Sequence, residues 1–207
     1  MENFMEKYNV SRETFEKLKL YHQSLIEWQG KMNLVSNSTL DTAWERHFAD
    51  SAQLYKLIPE NAKTMVDIGS GAGFPGMVLA IMAEGRTPYL KVTLVESIAK
   101  KTLYLKRVKE ITNTDVNILN RRIENLKEKT FDVITARAVI NLKDLLGYAH
   151  PLFRKNSICI FPKGKSHKEE IELARKEWFF DIETVPSEVS DESVILIIRN
   201  LVKKGKR

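Results

Sequence analysis

Between residues 64 and 76 the chain runs Thr-Met-Val-Asp-Ile-Gly-Ser-Gly-Ala-Gly-Phe-Pro-Gly, and this stretch limits the fold more than any other. It joins a short apolar run, an acidic residue near its end, three alternating glycines and a proline beside an apolar segment. Val66 and Ile68 suit a buried strand. Gly69, Gly71 and Gly73 permit a sharp turn and let backbone approach a ligand that a Cβ would hold off. Pro75 fits the first turn of a helix, where no amide hydrogen is required. Met77 to Met82 then reads as a helix packed on a sheet. The spacing predicts a strand, a ligand-cradling loop and a helix.

From Met65 onward apolar strands alternate with helical segments, the pattern of an α/β fold with a largely parallel sheet. Seven strands are predicted, near residues 65–68, 91–95, 116–119, 131–135, 157–161, 181–185 and 194–199. The last two have no long helix between them, so they should pair as an antiparallel hairpin at the sheet edge. The first sixty residues read as a helical extension of a single domain of 207 residues. Leu18, Tyr21, Leu25, Trp28 and Met32 repeat at helical spacing behind a capping Ser11. A second helix is predicted from about Thr39 to Leu57, with Pro59 closing it. The polar linker between them, residues 33–38, reads as an exposed loop.

Two ligands compete for the glycine loop. Gly71-x-Gly73-x-x-Gly76 matches the dinucleotide fingerprint, with Glu96 about 20 residues on to take a ribose hydroxyl. The glycine that opens the turn after the strand is Gly69, however, and in that register Phe74 replaces the third glycine. A bulky Phe followed by Pro would crowd a pyrophosphate at the helix N-terminus. A ligand without phosphates fits better, and S-adenosylmethionine is one, its ammonium met by Asp67. Glu96, at the end of the second strand, would accept both ribose hydroxyls. The alternative for Glu96 is a charge at the start of the following helix.

Net charge is +6 and the excess is uneven. Residues 61–130 carry twelve Lys and Arg against seven Asp and Glu, while residues 1–60 carry seven against nine. The cofactor half is the basic half, which makes a polyanion a candidate partner and a solvated surface with a basic tail the alternative. A single cysteine, Cys159, sits in an apolar run and reads as a buried small hydrophobe, so neither a disulfide framework nor a metal cluster is expected. No apolar stretch is long enough to span a membrane and no charged-then-apolar leader is present, which predicts a cytoplasmic protein.

Ligands in open α/β sheets bind outside the carboxyl ends of the strands. That rule gathers Gly69–Phe74, Glu96, the segment Asn120–Glu124, Arg137 and Lys163–Lys165 into one basic site. Together with Asn33-Leu-Val-Ser36, Arg46-His-Phe-Ala-Asp-Ser51, Lys100-Lys101, Arg122-Ile-Glu124 and Arg137-Ala138, these motifs resemble the bacterial 16S ribosomal RNA guanine-N7 methyltransferases, also called the glucose-inhibited division protein B family. The resemblance implies a seven-stranded Rossmann-like sheet of class I methyltransferase type. It implies methyl transfer from S-adenosylmethionine to N7 of a guanine, position 527 of the RNA, with the 16S rRNA or small subunit as partner; a monomer is taken as the default state. It also implies that Gly69 and Phe74 contact the cofactor, that Ile123 and Glu124 hold its adenine end, and that Arg137 lies at the cofactor site.

Guanine N7 carries an in-plane lone pair, so it attacks an activated methyl with no proton to remove. Alignment and exclusion of water then suffice, in keeping with the absence of an obvious His-Asp pair or paired carboxylates at the strand ends. Lys163 and Lys165 follow a buried strand into a glycine turn, a place to grip phosphate near an unstacked base. Arg46 and His47 are candidate RNA contacts. Their alternatives are an ion pair with Glu45 or Asp50 and, for His47, a packing role. A small-molecule methyltransferase, an NAD-dependent oxidoreductase and a noncatalytic RNA-binding module are the rival functions.

Overall fold

The computed structural model describes residues 2–126, 130–137 and 140–205. Ala138, half of the Arg137-Ala138 motif, and the last two residues of the basic tail lie outside the described residues. Two helices open the chain, α1 (Glu2–Lys7) and α2 (Arg12–Gln29). The hydroxyl of Ser11 accepts from the Thr14 amide at 3.1 Å, satisfying one of the free donors at the start of α2. Leu18, Tyr21 and Leu25 lie on one face and are wholly buried, each worth about 2 kcal/mol of apolar burial.

The second predicted helix is broken. In its place stand a 3-10 turn Asn37–Thr39, a π-helical turn Trp44–Ala49, a single α turn α3 (Asp50–Ala52) and a 3-10 turn Tyr55–Leu57. The cause is competition for carbonyls. The Arg137 guanidinium takes the Arg46 carbonyl at 3.1 Å, and the Ser51 hydroxyl takes that of His47 at 2.6 Å. The first engages a helix carbonyl from outside the segment, and the second shares the His47 carbonyl with the Asp50 amide, a competition that favours a wider turn.

The linker is not a free loop either. The Gln29 side chain donates to the Val35 carbonyl and accepts from the amides of Leu34 and Val35 at 2.8, 3.0 and 3.1 Å. Leu34 is buried as a result.

All seven strands form where the periodicity places them: β1 (Thr64–Ile68), β2 (Lys91–Glu96), β3 (Val116–Asn120), β4 (Val133–Thr135), β5 (Ile158–Lys163), β6 (Trp178–Pro186) and β7 (Val194–Lys203). They make one sheet in the order β3-β2-β1-β4-β5-β7-β6. The first five run parallel, and β7 pairs antiparallel with both β5 and β6. The predicted hairpin is therefore present, with β6 outermost.

Helices α4 (Gly76–Glu84) and α5 (Ala99–Thr112) cover one face together with α1 and α2, sharing one apolar core. Helices α6 (Leu142–Ala149) and α7 (His167–Arg175) cover the other. Cys159 is buried in that second core, where burial raises its thiol well above the ordinary range. The strand order reverses at β1, between β2 and β4, and the crevice beyond their carboxyl ends is where the site residues converge.

Candidate cofactor and substrate site

The loop after β1 takes the left-handed conformations its glycines allow, with φ of +65° at Gly69, +57° at Gly71 and +102° at Gly73. It is held in shape by its own chain. The amides of Gly69 and Ser70 both donate to the Val95 carbonyl, and that of Gly73 donates to the Ser70 carbonyl at 2.7 Å. The Gly71 amide donates to Glu96 Oε2 at 2.9 Å, while Glu96 Oε1 accepts from the Ile98 amide at 2.8 Å. Glu96 thus serves the loop and the start of α5 at once, and each of its oxygens keeps a lone pair for a further donor.

Phe74 is packed on every side. Its ring stacks on Tyr21 at 5.2 Å and on His47 at 5.1 Å, meets Phe48 edge-on, and carries the Arg137 guanidinium 4.9 Å above its centroid. Arg137 also pairs with Asp50 at 3.2 Å.

A cavity of about 470 Å³ opens over this loop, lined by Gly69–Ala72, Phe74, Glu96, Arg137 and His47. A smaller one of about 180 Å³ continues past Gly69 and Ser97 to Ile123 and Glu124. On the other side of Arg137 lies a third of about 620 Å³, lined by Asp50, Lys163, Gly164 and Glu170 among others. The structure therefore brings Gly69, Gly71, Phe74, Glu96, Ile123, Glu124 and Arg137 around one continuous crevice. Gly73 lies behind it, where an added Cβ would come within 2.5 Å of the Tyr21 hydroxyl.

Three of the expected site residues stand in other surroundings than expected. Asp67 does not face the crevice. It is fully buried, its carboxylate accepting from Thr135 Oγ1 at 2.8 Å and the Gly76 amide at 3.3 Å. Burial raises its pKa to about 6, with Thr135, Ser70 and Gly76 pulling the other way. That contact also answers the dinucleotide reading, because the N-terminus of α4 is turned onto a buried carboxylate rather than left open for a pyrophosphate.

His47 lines the cavity over the glycine loop, stacked on Phe74. Its Nε2 bonds Thr39 Oγ1 at 2.9 Å, and burial, then the charges of Arg137 and Arg46, lower its pKa to about 4. A neutral imidazole offers no counter-charge to phosphate.

Lys163 is spent inside the protein. Its ammonium donates to Glu170 Oε2 at 2.7 Å and to the Ile140 carbonyl at 2.8 Å, with a side chain only 10% exposed. Burial pushes Glu170 up, but Lys163, the Leu142 amide and Ser166 outweigh it and hold its carboxyl below the usual range. Lys165 is exposed but pairs with Glu192.

Arg46 behaves otherwise. Its side chain points to solvent and forms no ion pair among the described residues. The alternative, a pair with Asp50, does not form, and Arg137 holds that carboxylate.

Sequence reasoning missed Leu34–Ser36, Thr39 and Lys101, which also line the cofactor cavity. The Asn33-Leu-Val-Ser36 motif was the available signal, but its polarity read as a solvent loop. The cradle suits S-adenosylmethionine: Gly71 opens toward space a Cβ would enter, and Glu96 supplies paired acceptors at the strand end.

Residues 14–195 match the family model described as rRNA small subunit methyltransferase G. Ribosomal RNA small subunit methyltransferase G of Paramagnetospirillum magneticum is 41% identical over 99% of this chain and 97% of its own. The protein of that name from a Jannaschia species is 42% identical over 95% and 93%. Among solved structures, a methyltransferase from Geobacter sulfurreducens superposes with a TM-score of 0.58 at 15% identity, covering 89% of this chain and 90% of its own. A mutant of MtNAS in complex with S-adenosylmethionine gives 0.58 at 15% identity over 88% and 74%.

Proposed function

Since the chain belongs to the rRNA small subunit methyltransferase G family, we propose that it methylates N7 of a guanine in 16S ribosomal RNA, using S-adenosylmethionine. The observation that carries this reading is the pair of cavities on the carboxyl edge of the sheet, one over the glycine loop and one beyond, with Arg137 lining both.

When bound, S-adenosylmethionine supplies a methyl group made electrophilic by its sulfonium. The protein's own part is placement. Glu96 offers the free lone pairs of its two oxygens to ribose hydroxyls, and Ile123 and Glu124 flank the adenine end. The loop from Gly69 to Phe74 shapes the seat of the amino-acid end. Because the loop is already hydrogen-bonded in place, little ordering cost falls on binding. Phe74, backed by Tyr21 and Phe48, forms a rigid apolar wall that excludes water from the reacting groups. Guanine N7 needs no deprotonation, so the neutral His47 and the buried Asp67 are not called on as bases.

For RNA phosphates the candidates are the exposed Arg46 and Lys165 and the half-buried Lys101, which lines the cofactor cavity. The whole chain acts as one catalytic domain, as a monomer and in the cytoplasm. Among the described residues no helix is long and apolar enough to cross a membrane.

Incubating the protein with radiolabelled S-adenosylmethionine and small subunits lacking the modification tests the reading, with nucleoside mass spectrometry of the rRNA. Label should appear as 7-methylguanosine. Label in any other nucleoside, or none, would overturn it.

A further inference from the structure

The larger cavity, about 620 Å³, has the size of a small-molecule site and reaches the cofactor cavity along Arg137. Two carboxylates line it, Asp50 and Glu170, and their surroundings differ. Glu170 already holds three donors, Lys163 and the Leu142 amide on Oε2 and Ser166 on Oε1. Among the described residues Asp50 is held by two side-chain donors, Arg137 Nη1 on Oδ2 at 3.2 Å and Gln53 Nε2 on Oδ1 at 3.0 Å. Both donors are anchored elsewhere, Arg137 on the Arg46 carbonyl and Gln53 by the Glu188 amide, so they stay in place, and Asp50 keeps a lone pair on each oxygen for a further donor.

The group that Asp50 now accepts from has a telling shape. A guanidinium presents neighbouring N–H donors to a carboxylate, and so does guanine through N1–H and its 2-amino group. Adenine presents an acceptor at N1 and would set a lone pair against the carboxylate. Of the four bases, guanine alone offers the paired-donor edge that matches an acceptor-only side chain.

We propose that Asp50 selects the target base, its carboxylate accepting from N1–H and the 2-amino group of a guanine extruded into the larger cavity. The step deepens, and rests on, the methylation of guanine N7 proposed above. The edge Asp50 grips lies across the purine from N7, so the contact fixes the in-plane rotation of the base. Arg137, on the wall between the cavities, then stands beside the base and keeps its contact with Phe74.

The test uses small subunits reconstituted with 16S rRNA carrying either guanosine or inosine at the target. Inosine keeps N7 and N1–H but lacks the 2-amino group. Wild type is expected to prefer guanosine by about tenfold or more in kcat/KM, the worth of one hydrogen bond to a charged acceptor. In Asp50→Asn that preference should shrink to about threefold or less, because an amide offers one acceptor and one donor where the carboxylate offered two acceptors.

Were Asp50 only a brace for Arg137, both substrates would slow together and the ratio would stay. An unchanged ratio in Asp50→Asn removes the assignment. Asp50→Glu, which keeps the carboxylate, should retain the preference at a lower rate and serves if the amide variant folds poorly; loss of the preference there would also count against it. Affinity for S-adenosylhomocysteine, read by calorimetry, should be unaltered in both. Absence of 7-methylguanosine in the wild-type reaction would remove the function reading, and this one with it. Its presence with an unaltered ratio removes the Asp50 assignment alone.

Discussion

The phenolic hydroxyl of Tyr21 donates to the carbonyl of Ala72 at 2.5 Å, across 51 positions of sequence. A residue of the N-terminal helix α2 thus holds the tip of the cofactor loop, and its ring stacks on Phe74 of the same loop. The N-terminal segment is part of the site's construction. Its other contribution is the stretch Leu34–Ser36, pinned by Gln29 against the cofactor cavity.

Tyr21→Phe is expected to leave the Ala72 carbonyl unpaired in a buried setting and to cost about 1–3 kcal/mol of stability. Urea denaturation measures that loss. Calorimetry should show weaker binding of S-adenosylhomocysteine, because the loop tip has lost its tether; unchanged affinity would mean that the tether does not shape the seat.

Gly71 and Gly73 should fail in different ways. A Cβ at Gly73 would meet Tyr21 Oη at 2.5 Å, Met77 Cβ at 3.0 Å and Leu105 Cδ2 at 3.1 Å, so Gly73→Ala should destabilise the fold by several kcal/mol. At Gly71 the only atom of the described residues within 4 Å of a Cβ is the Gly69 carbonyl oxygen at 3.8 Å. Gly71→Asp should therefore fold with a penalty of about 1–2 kcal/mol for its left-handed φ, yet lose cofactor binding through an intruding charged side chain. Melting curves beside calorimetry separate the two, and normal cofactor affinity in Gly71→Asp would show the loop to be assigned wrongly.

Lys163→Ala should act on stability. Removing it strands Glu170 in a half-closed pocket, at a cost on the order of 3 kcal/mol, and the double change Lys163→Met with Glu170→Gln should recover part of it. Arg46→Ala and Lys101→Ala should leave stability within about 0.5 kcal/mol and each lower the salt slope of RNA binding by about one. A salt slope altered by Lys163→Ala, with stability intact, would restore that lysine to the phosphate contacts.

Two buried groups give pH dependences of opposite sign. Asp67, raised to about 6 from 3.8, binds its proton more readily in the folded protein. Its contribution is fully present below about pH 4 and is lost as pH rises through about 6. His47, lowered to about 4 from 6.5, contributes above about pH 6.5 and loses that contribution as pH falls through about 4. The stability advantage of wild type over Asp67→Asn should therefore grow on going from pH 7 to 4, and its advantage over His47→Gln should shrink, each on the order of 2 kcal/mol. Parallel trends in the two variants would contradict the burial of one of these groups.

Much of the site was legible before any coordinates. Val66 and Ile68 mark a buried strand because their shape suits one, and Gly69, Gly71 and Gly73 mark the turn because few other residues tolerate those dihedrals. The register of Phe74 against the first glycine argued against a pyrophosphate without any knowledge of the Asp67–Gly76 contact that closes the helix start. The hairpin of β6 and β7 followed from the missing helix between them. These features are local, set by side-chain shape and backbone freedom within a few residues.

What the sequence alone determined is thus the sheet, the glycine loop and the line of residues at the strand ends. Tertiary structure decided which charges are free. Lys163 and Arg46 look alike as letters, yet one is held by Glu170 and the other faces solvent. Asp67 and Asp50 both follow apolar neighbours, but one is sealed beneath the loop while the other opens on the larger cavity. The helix over residues 39–57 had the right periodicity and still broke, because an arginine ninety-one positions later claimed one of its carbonyls. Availability for a ligand depends on partners brought from elsewhere in the chain, and no spacing within a motif encodes them.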